Sequence, residues 1–221
     1  MRLFIAEKPS LGRAIAEGLG KGTSHEGYIS CGNDTVTWCF GHLLELANPE
    51  NYAPELKRWN AAALPIIPEE WKLLPRKGVS KQLKVIQKLL KKADVVVNAG
   101  DPDREGQLLV DEVLEHFHYS GNTQRIWLAS LDEKSVATAL NSLKDNKNYA
   151  PLSKAALARS RADWLTGINA TRAMTLLGRS KGMQGVLSLG RVQTPTLNLI
   201  VTRDNAIANF KPQKYAVCKP H

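Results

Sequence analysis

The segment Val95-Val96-Val97-Asn98-Ala99-Gly100-Asp101-Pro102-Asp103-Arg104-Glu105-Gly106 decides how the rest of the chain is read. Its first half is apolar and β-branched, the composition of a buried strand. A glycine ends the run, and three carboxylates follow at alternating positions: Asp101, Asp103 and Glu105. Helical spacing resumes at Leu108, Leu109, Val113 and Leu114, which places the acids on a strand-to-helix turn. In open α/β sheets, ligands bind just beyond the carboxyl ends of strands. Carboxylates crowded there repel one another unless a cation lies among them, and hard oxygen donors favour Mg²⁺ or Mn²⁺ over zinc. The plainer alternative is a solvated acidic loop in which Asp101 or Asp103 caps the helix.

A second acidic strand end stands at the N-terminus. Arg2-Leu3-Phe4-Ile5-Ala6 is a short apolar run that stops at Glu7-Lys8-Pro9-Ser10. Ser10 is the expected N-cap of a helix with the apolar face Leu11, Ala14, Ile15 and Leu19, which glycines 18, 20 and 22 then end. Two parallel strands would bring Glu7 beside Asp101, Asp103 and Glu105, with Lys8 as a cation suited to a phosphate oxygen.

Around these two strand ends, residues 1–150 alternate strand-like and helix-like patterns. Tyr28–Cys31 and Thr35–Phe40 read as a hairpin about Gly32-Asn33-Asp34. The proline-rich stretch from Asn48 to Pro75 has no sustained period and reads as a long ordered loop or irregular lobe. Ser80 is placed as the cap of a helix using Leu83, Ile86, Leu89 and Leu90, Arg125–Ala129 as a strand, and Asp132 as the cap of a further helix. This alternation predicts a mostly parallel sheet in a two- or three-layer domain. The polar stretch Asp145–Tyr149 marks a domain boundary at 150/151, with Pro151 in the first turn of a helix running from Leu152 to Leu177 and stopped by Gly178. A final helix is expected from about Leu189 to Ala208, so residues 151–211 form a smaller, all-helical, helix-turn-helix-like domain. Lys214–Cys218 reads as the first strand of a further domain beginning near 212.

Charge separates the same two parts. Residues 1–150 carry 19 Lys/Arg and 19 Asp/Glu, whereas residues 151–221 carry 11 Lys/Arg against only Asp163 and Asp204. The whole net charge of +9 therefore lies in the last third, as suits a protein that grips a polyanion with one part and reacts with the other. No apolar run approaches the roughly 20 residues of a membrane span. The N-terminus lacks a secretory pattern, and a cytoplasmic protein with no membrane partner is expected. Cys31, Cys39 and Cys218 suit neither a disulfide framework nor a zinc site, and Cys31 and Cys39 read as small half-buried fillers.

Glu7 followed 94 residues later by Gly-Asp101-x-Asp103-x-Glu105-Gly resembles the Toprim domain, a Rossmann-like α/β domain shared by topoisomerases, bacterial primases and some nucleases. Phe4-Ile5-Ala6-Glu7-Lys8-Pro9-Ser10 is narrower. Together with Gly41-His42-Leu43-Leu44-Glu45, Ala158-Arg159-Ser160-Arg161-Ala162-Asp163-Trp164-Leu165-x-Gly167 and Ser188-Leu189-Gly190-Arg191-Val192-Gln193-Thr194-Pro195-Thr196-Leu197, it resembles a bacterial type IA DNA topoisomerase of the topoisomerase III kind. The likeness runs from Met1 to about Phe210 in family order but covers only the N-terminal part of that enzyme.

The resemblance implies Mg²⁺, with Mn²⁺ an alternative, held by Asp101, Asp103 and Glu105. Glu7 would share the metal or shuttle a proton at the 3′ oxygen, and Lys8 would contact the scissile phosphate. Ser188, Arg191 and Gln193, at a helix start, would hold single-stranded DNA, as would Arg159 and Arg161. For Arg191 the alternative is an interdomain salt bridge; for Arg159 it is a pair with Asp163 at i, i+4. His42 is expected to play a structural part, and Trp164 to pack in the core.

The family breaks DNA with a tyrosine in a Tyr-x-Arg-like context. None of Tyr28, Tyr52, Tyr119, Tyr149 and Tyr215 has that context, so no nucleophilic tyrosine is assigned and the chain reads as truncated. Two other readings stand beside this one: a stand-alone Toprim nuclease or primase, and a noncatalytic single-strand-binding module.

Overall fold

The computed structural model describes residues 1–216, which form two compact units: Met1–Glu55 with Pro68–Ala162, and 56–67 with 163–216. The first unit is built on a seven-stranded mixed sheet. In chain order its strands are β1 (Arg2–Ala6), β2 (Thr23–His25), β3 (Tyr28–Cys31), β4 (Asp34–Trp38), β7 (Val95–Ala99), β8 (Asn122–Arg125) and β9 (Lys144–Asp145). Their spatial order is β2-β3-β4-β1-β7-β8-β9. The four central strands, β4, β1, β7 and β8, are parallel, and the edge strands pair antiparallel. A separate two-stranded ribbon joins β5 (Leu44–Leu46) to β6 (Leu73–Pro75).

Alternation along the strands explains the three layers. Leu3, Ile5 and Val96 point to one face and pack with Leu83 and Ile86 of α2 (Ser80–Leu90) and with Val110 and Val113 of α3 (Arg104–His116). Phe4, Ala6, Val97 and Ala99 point to the other, against Leu11 and Ile15 of α1 (Pro9–Gly18) and Val136 of α4 (Glu133–Leu140). Strands covered on both faces read as continuous apolar runs, which is why Val95–Val97 was legible. The register pairs Ala6 with Ala99, so β1 and β7 end level. This single fact positions the site.

Several local expectations are corrected. The N-cap of α1 is Lys8, with Pro9 in the first turn, rather than Ser10: proline lacks the N–H that a cap would have to satisfy. Val79, not Ser80, occupies the N-cap of α2. The strand expected at Arg125–Ala129 lies at Asn122–Arg125. After Ile126 donates to the Asn98 carbonyl the chain leaves the sheet, and Trp127 stacks on Tyr149 with ring centroids 5.2 Å apart. The β3–β4 hairpin forms, but β4 runs over Asp34–Trp38 and not Thr35–Phe40: Asp34 already pairs with Cys31 and the strand ends before Phe40. The Asp132 cap, which accepts from the Ser135 amide, is as read. Cys31 and Cys39 are buried rather than half-buried, Cys39 completely.

Helix α5 runs without a break over Ala150–Ser180, with Pro151 in its first turn, and contributes residues to both units. Gly178 lies inside it. The chain reverses instead at Gly182, whose φ of +85° favours glycine, while the Gly178 carbonyl accepts from Lys181 and Met183. In the second unit, 56–67 is tied to α5: Asn169 exchanges two hydrogen bonds with the Ile66 backbone at 2.6 and 2.9 Å, and Arg172 donates to the Leu56 carbonyl at 2.7 Å. Residues 187–189 are strapped to α5 by the hydroxyls of Thr171 and Thr175. The last helix, α6, spans Gln193–Ala208 and begins four residues later than expected, because residues 189–192 form a turn closed by a Gly190 amide to Thr194 hydroxyl bond. Of the strand expected at Lys214–Cys218, residues 214–216 carry none and the rest lies outside the described residues.

Candidate active site

Glu7 is the first residue beyond β1, and Asp101 lies just beyond β7. Because the two parallel strands end level, the Glu7 carboxylate accepts the Asp101 amide at 3.0 Å. Lys8 then places its Nζ 2.6 Å from Asp101 Oδ2. That hydrogen bond, with the charges of Glu7 and Asp103, holds the Lys8 ammonium above the ordinary lysine pKa. Asp103 is the N-cap of α3, accepting from the Gly106 amide at 2.8 Å with one oxygen. The capping role and a ligand role are therefore compatible. Glu105 lies in the first turn of α3, and its Oε1 takes Arg159 Nη1 at 3.0 Å. Sequence-distant Glu7, Lys8, Asp101 and Asp103 thus lie together at the level strand ends, and Glu105 with Arg159 forms a separate pair at the first turn of α3. Among the described residues, no group of three His, Cys, Asp or Glu side chains stands at metal-ligand spacing. Lys8, Arg159 and backbone amides neutralise these carboxylates in the present arrangement.

The two glycines of the motif are demanded by close approach. A Cβ on Gly100 would lie 1.9 Å from the Gly106 carbonyl oxygen. One on Gly106 would meet the Asp101 amide nitrogen at 2.4 Å and Glu7 Oε2 at 2.8 Å. The turn can close over Glu7 only where side chains are missing.

Beneath the turn lies a polar layer that sequence reasoning missed. Arg125, fully buried, donates through Nη1 to the Gly100 carbonyl at 2.8 Å and through Nη2 to the Asp101 carbonyl at 2.7 Å. Nη1 also reaches Asn98, at its carbonyl and its Oδ1. Burial pulls this guanidinium down to about 10, against the pull of Asp111, Asp103 and Asp101. Asn98 and Gln107, both buried, and Asn146 donate to the Asp111 carboxylate at 2.9–3.0 Å. Only polar Asn98, set inside the apolar run Val95–Ala99, hinted at this layer.

His42 joins the cluster's margin, with Nδ1 3.1 Å from Glu112 Oε2. The hydrogen bond to Glu112, and the charges of Glu112, Glu105 and Glu7, raise its pKa above the ordinary 6.5 despite burial. The pair is then a source of stability that is complete below the unfolded histidine pKa and lost as pH rises through the higher folded value. Glu112→Gln is expected to destabilise the unit by about 1 kcal/mol near pH 5.5 and by much less near pH 8.5. Ring-proton NMR titration of His42 checks the cause: its midpoint should fall in the variant.

In the second unit Arg191 pairs with Asp163, not with an acid of the first domain, and Gln193 Nε2 donates to the Ser188 hydroxyl at 2.8 Å. In the first unit, Arg161 lies over the Trp71 ring at 5.3 Å.

Residues 2–131 match the family model of the Toprim domain. The chain belongs to the Toprim family. The acidic turn, Glu7 and Lys8 all fall inside this Toprim match, and residues 147–220 match a second family, described as DNA topoisomerase. Among curated relatives, the chain is 58% identical to DNA topoisomerase 3 of Pasteurella multocida, covering 97% of this chain and 34% of that protein. It is 53% identical to DNA topoisomerase 3 of Salmonella typhimurium, covering 100% and 35%. The Toprim chain therefore spans about a third of the length of the curated relatives it matches. The full-length topoisomerase I of Thermotoga maritima superposes with a TM-score of 0.65 at 23% identity, over 96% of this chain and 32% of that one, a likeness of fold. No helix among the described residues is long and apolar enough to cross a membrane.

Proposed function

We propose that this chain is the metal- and strand-binding part of a type IA DNA topoisomerase of the topoisomerase III kind, acting on single-stranded DNA in the bacterial cytoplasm. The observation that carries the reading is the level ending of β1 and β7, which sets Lys8 on Asp101 and the Asp101 amide on Glu7. The donor set is all oxygen, which fits Mg²⁺, or Mn²⁺, rather than a softer metal. Asp101 and Asp103 would hold it, with Glu105 and Glu7 in support. When bound, the metal would neutralise phosphate charge beside the broken 3′ end.

The chain's own residues supply the rest. Lys8, released from Asp101, donates to a non-bridging oxygen of the scissile phosphate, where charge grows in the transition state. Glu7 faces the 3′ oxygen: in its protonated, carboxylic acid form it gives that oxygen a proton as the P–O3′ bond breaks, is left as the carboxylate, and takes the proton back on resealing. The attacking hydroxyl, which forms the 5′-phosphotyrosine, is not assigned to any of the five tyrosines. Ser188, Arg191 and Gln193 hold the strand away from the reacting phosphate, and Arg159 and Arg161 are further candidates. Residues 1–150 and 151–211 are proposed as its Toprim and helical DNA-binding domains.

A denaturing gel with end-labelled single-stranded DNA and Mg²⁺ tests the proposal. The expected result is salt-sensitive binding with neither covalent adduct nor cleavage. An adduct would contradict it by making one of the five tyrosines the nucleophile. Mg²⁺-dependent cleavage without adduct, abolished in Asp101→Asn/Asp103→Asn, would favour the nuclease reading instead. The same double variant should lose all Mg²⁺-dependent thermal stabilisation yet bind DNA as well as the parent or better, because two repelling carboxylates are gone.

A further inference from the structure

Away from the acidic turn, the Toprim domain opens a cavity of about 690 Å³ between α2 and the end of β4. Lys81, Lys84 and Lys88 line it from one face of α2, at the i, i+3, i+7 spacing that aligns side chains. Trp38, whose ring packs against Gly12 of α1, and Phe40 also line it, and Phe40 is 56% exposed. Glu26 is the one acidic side chain lining it. The floor is rigid: buried Gln82 donates to the carbonyls of Gly27 and Trp38 and to the Thr37 hydroxyl, at 2.6–3.1 Å. Gly27 approaches so closely that a Cβ there would stand 2.5 Å from Gln82 Oε1.

The cavity also adjoins the candidate active site. Pro9, the neighbour of Lys8, lies in its lining. Phe40 is held between two backbone bonds, Cys39 amide to Ala6 carbonyl and Gly41 amide to Glu7 carbonyl. An exposed phenyl ring whose backbone neighbours are bonded to Ala6 and Glu7, in a cavity with three lysines, has no part in the core. Lysines alone read as a solvated helix face; lysines sharing a cavity with an exposed aromatic ring match the pattern by which proteins hold unpaired strands, with ammonium groups on phosphates and rings under bases.

We propose that this groove is a binding surface for single-stranded DNA on the Toprim domain itself, carrying the strand away from the phosphate at Lys8 along α2. The inference rests on the function proposed above and adds a contact surface outside the basic last third of the chain. The three lysines engage phosphates, and Phe40 stacks on a base.

Fluorescence anisotropy of the full chain with a labelled oligothymidylate of about 25 nucleotides, over a range of salt, tests it. Lys81→Gln/Lys84→Gln/Lys88→Gln should weaken binding at least tenfold and flatten the slope of log K against log salt by about 2. Phe40→Ala should weaken it about five- to hundredfold. Lys134→Gln/Lys144→Gln/Lys147→Gln removes the same charge elsewhere on the Toprim domain and should change affinity less than threefold. Equal losses in the two triple variants would overturn the groove, leaving diffuse charge. So would unchanged affinity in the first triple variant while the parent binds. Tighter binding to a duplex than to the single strand would replace this occupant with another. If the parent chain does not bind the oligonucleotide at all, the DNA function itself fails, and this inference with it. Thermal unfolding of each variant confirms that the exposed substitutions leave the fold intact.

Discussion

Gly106→Ala is expected to destroy the candidate site while leaving most of the protein folded. The new Cβ would stand 2.4 Å from the Asp101 amide nitrogen, 2.5 Å from its carbonyl oxygen and 2.8 Å from Glu7 Oε2. None of these neighbours can yield cheaply. The Asp101 carbonyl is held by Arg125, and the Glu7 carboxylate is fixed on the Asp101 amide. Overpacking of this kind costs about 3 kcal/mol, the upper part of the usual range, because backbone must move. Relief requires the start of α3 to lift, which carries Asp103 and Glu105 away from Glu7. Urea unfolding should show a lower midpoint with an unchanged slope, and Mg²⁺ should no longer stabilise the variant. A variant as stable as the parent, with full Mg²⁺ response, would mean that the close contact of the two backbones is not needed.

Arg125→Met should have an effect of similar size for the opposite reason, a loss of donors. The side chain is fully buried and reaches four oxygens, two of them the carbonyls of Gly100 and Asp101. Leaving those two buried carbonyls without partners costs roughly 1–3 kcal/mol each, so a loss of about 4 kcal/mol is expected. Arg125→Lys separates charge from shape. A lysine restores the positive charge, but a single ammonium cannot span both carbonyls as the guanidinium fork does, so it should recover less than half of the loss. Equal stability of the lysine variant and the parent would show that charge alone matters under the acidic turn. Mg²⁺ titration of both variants reads the second consequence, a loosened Asp101.

How much of this was legible in the sequence depends on the kind of physics involved. The strand ends and their acids were readable because burial on both faces writes an unbroken apolar run, and Val95–Val97 and Leu3–Ala6 carry it. The pairing of Glu7 with Asp101 followed from assuming parallel neighbours; the register sets Ala6 beside Ala99, and the Asp101 amide then reaches the Glu7 carboxylate just beyond it. Arg125 was assigned to a strand and given no role. A buried arginine looks like a surface one until its carbonyl partners, 24 to 27 residues away, are brought together. The end of α5 was misplaced at Gly178 because glycine is a stop signal only on average. Here a Cβ on Gly178 would stand 2.9 Å from Met183 Cε and 3.3 Å from Leu187 Cδ1, and the absence of a side chain serves that packing. The lysines of α2 are hidden in the balanced count over residues 1–150, although residues 76–93 carry basic side chains and no acid.

Amide resonances of the labelled chain, followed through a Mg²⁺ titration, test the central claim most directly. The Asp101 and Gly106 amides donate to the Glu7 and Asp103 carboxylates, so they report on ligands that would change partner. The account predicts saturable shifts concentrated at residues 100–106 and at Glu7 and Lys8, and absent from Asp101→Asn/Asp103→Asn. Shifts scattered over exposed acids such as Asp94 and Glu45, or a silent acidic turn, would contradict it.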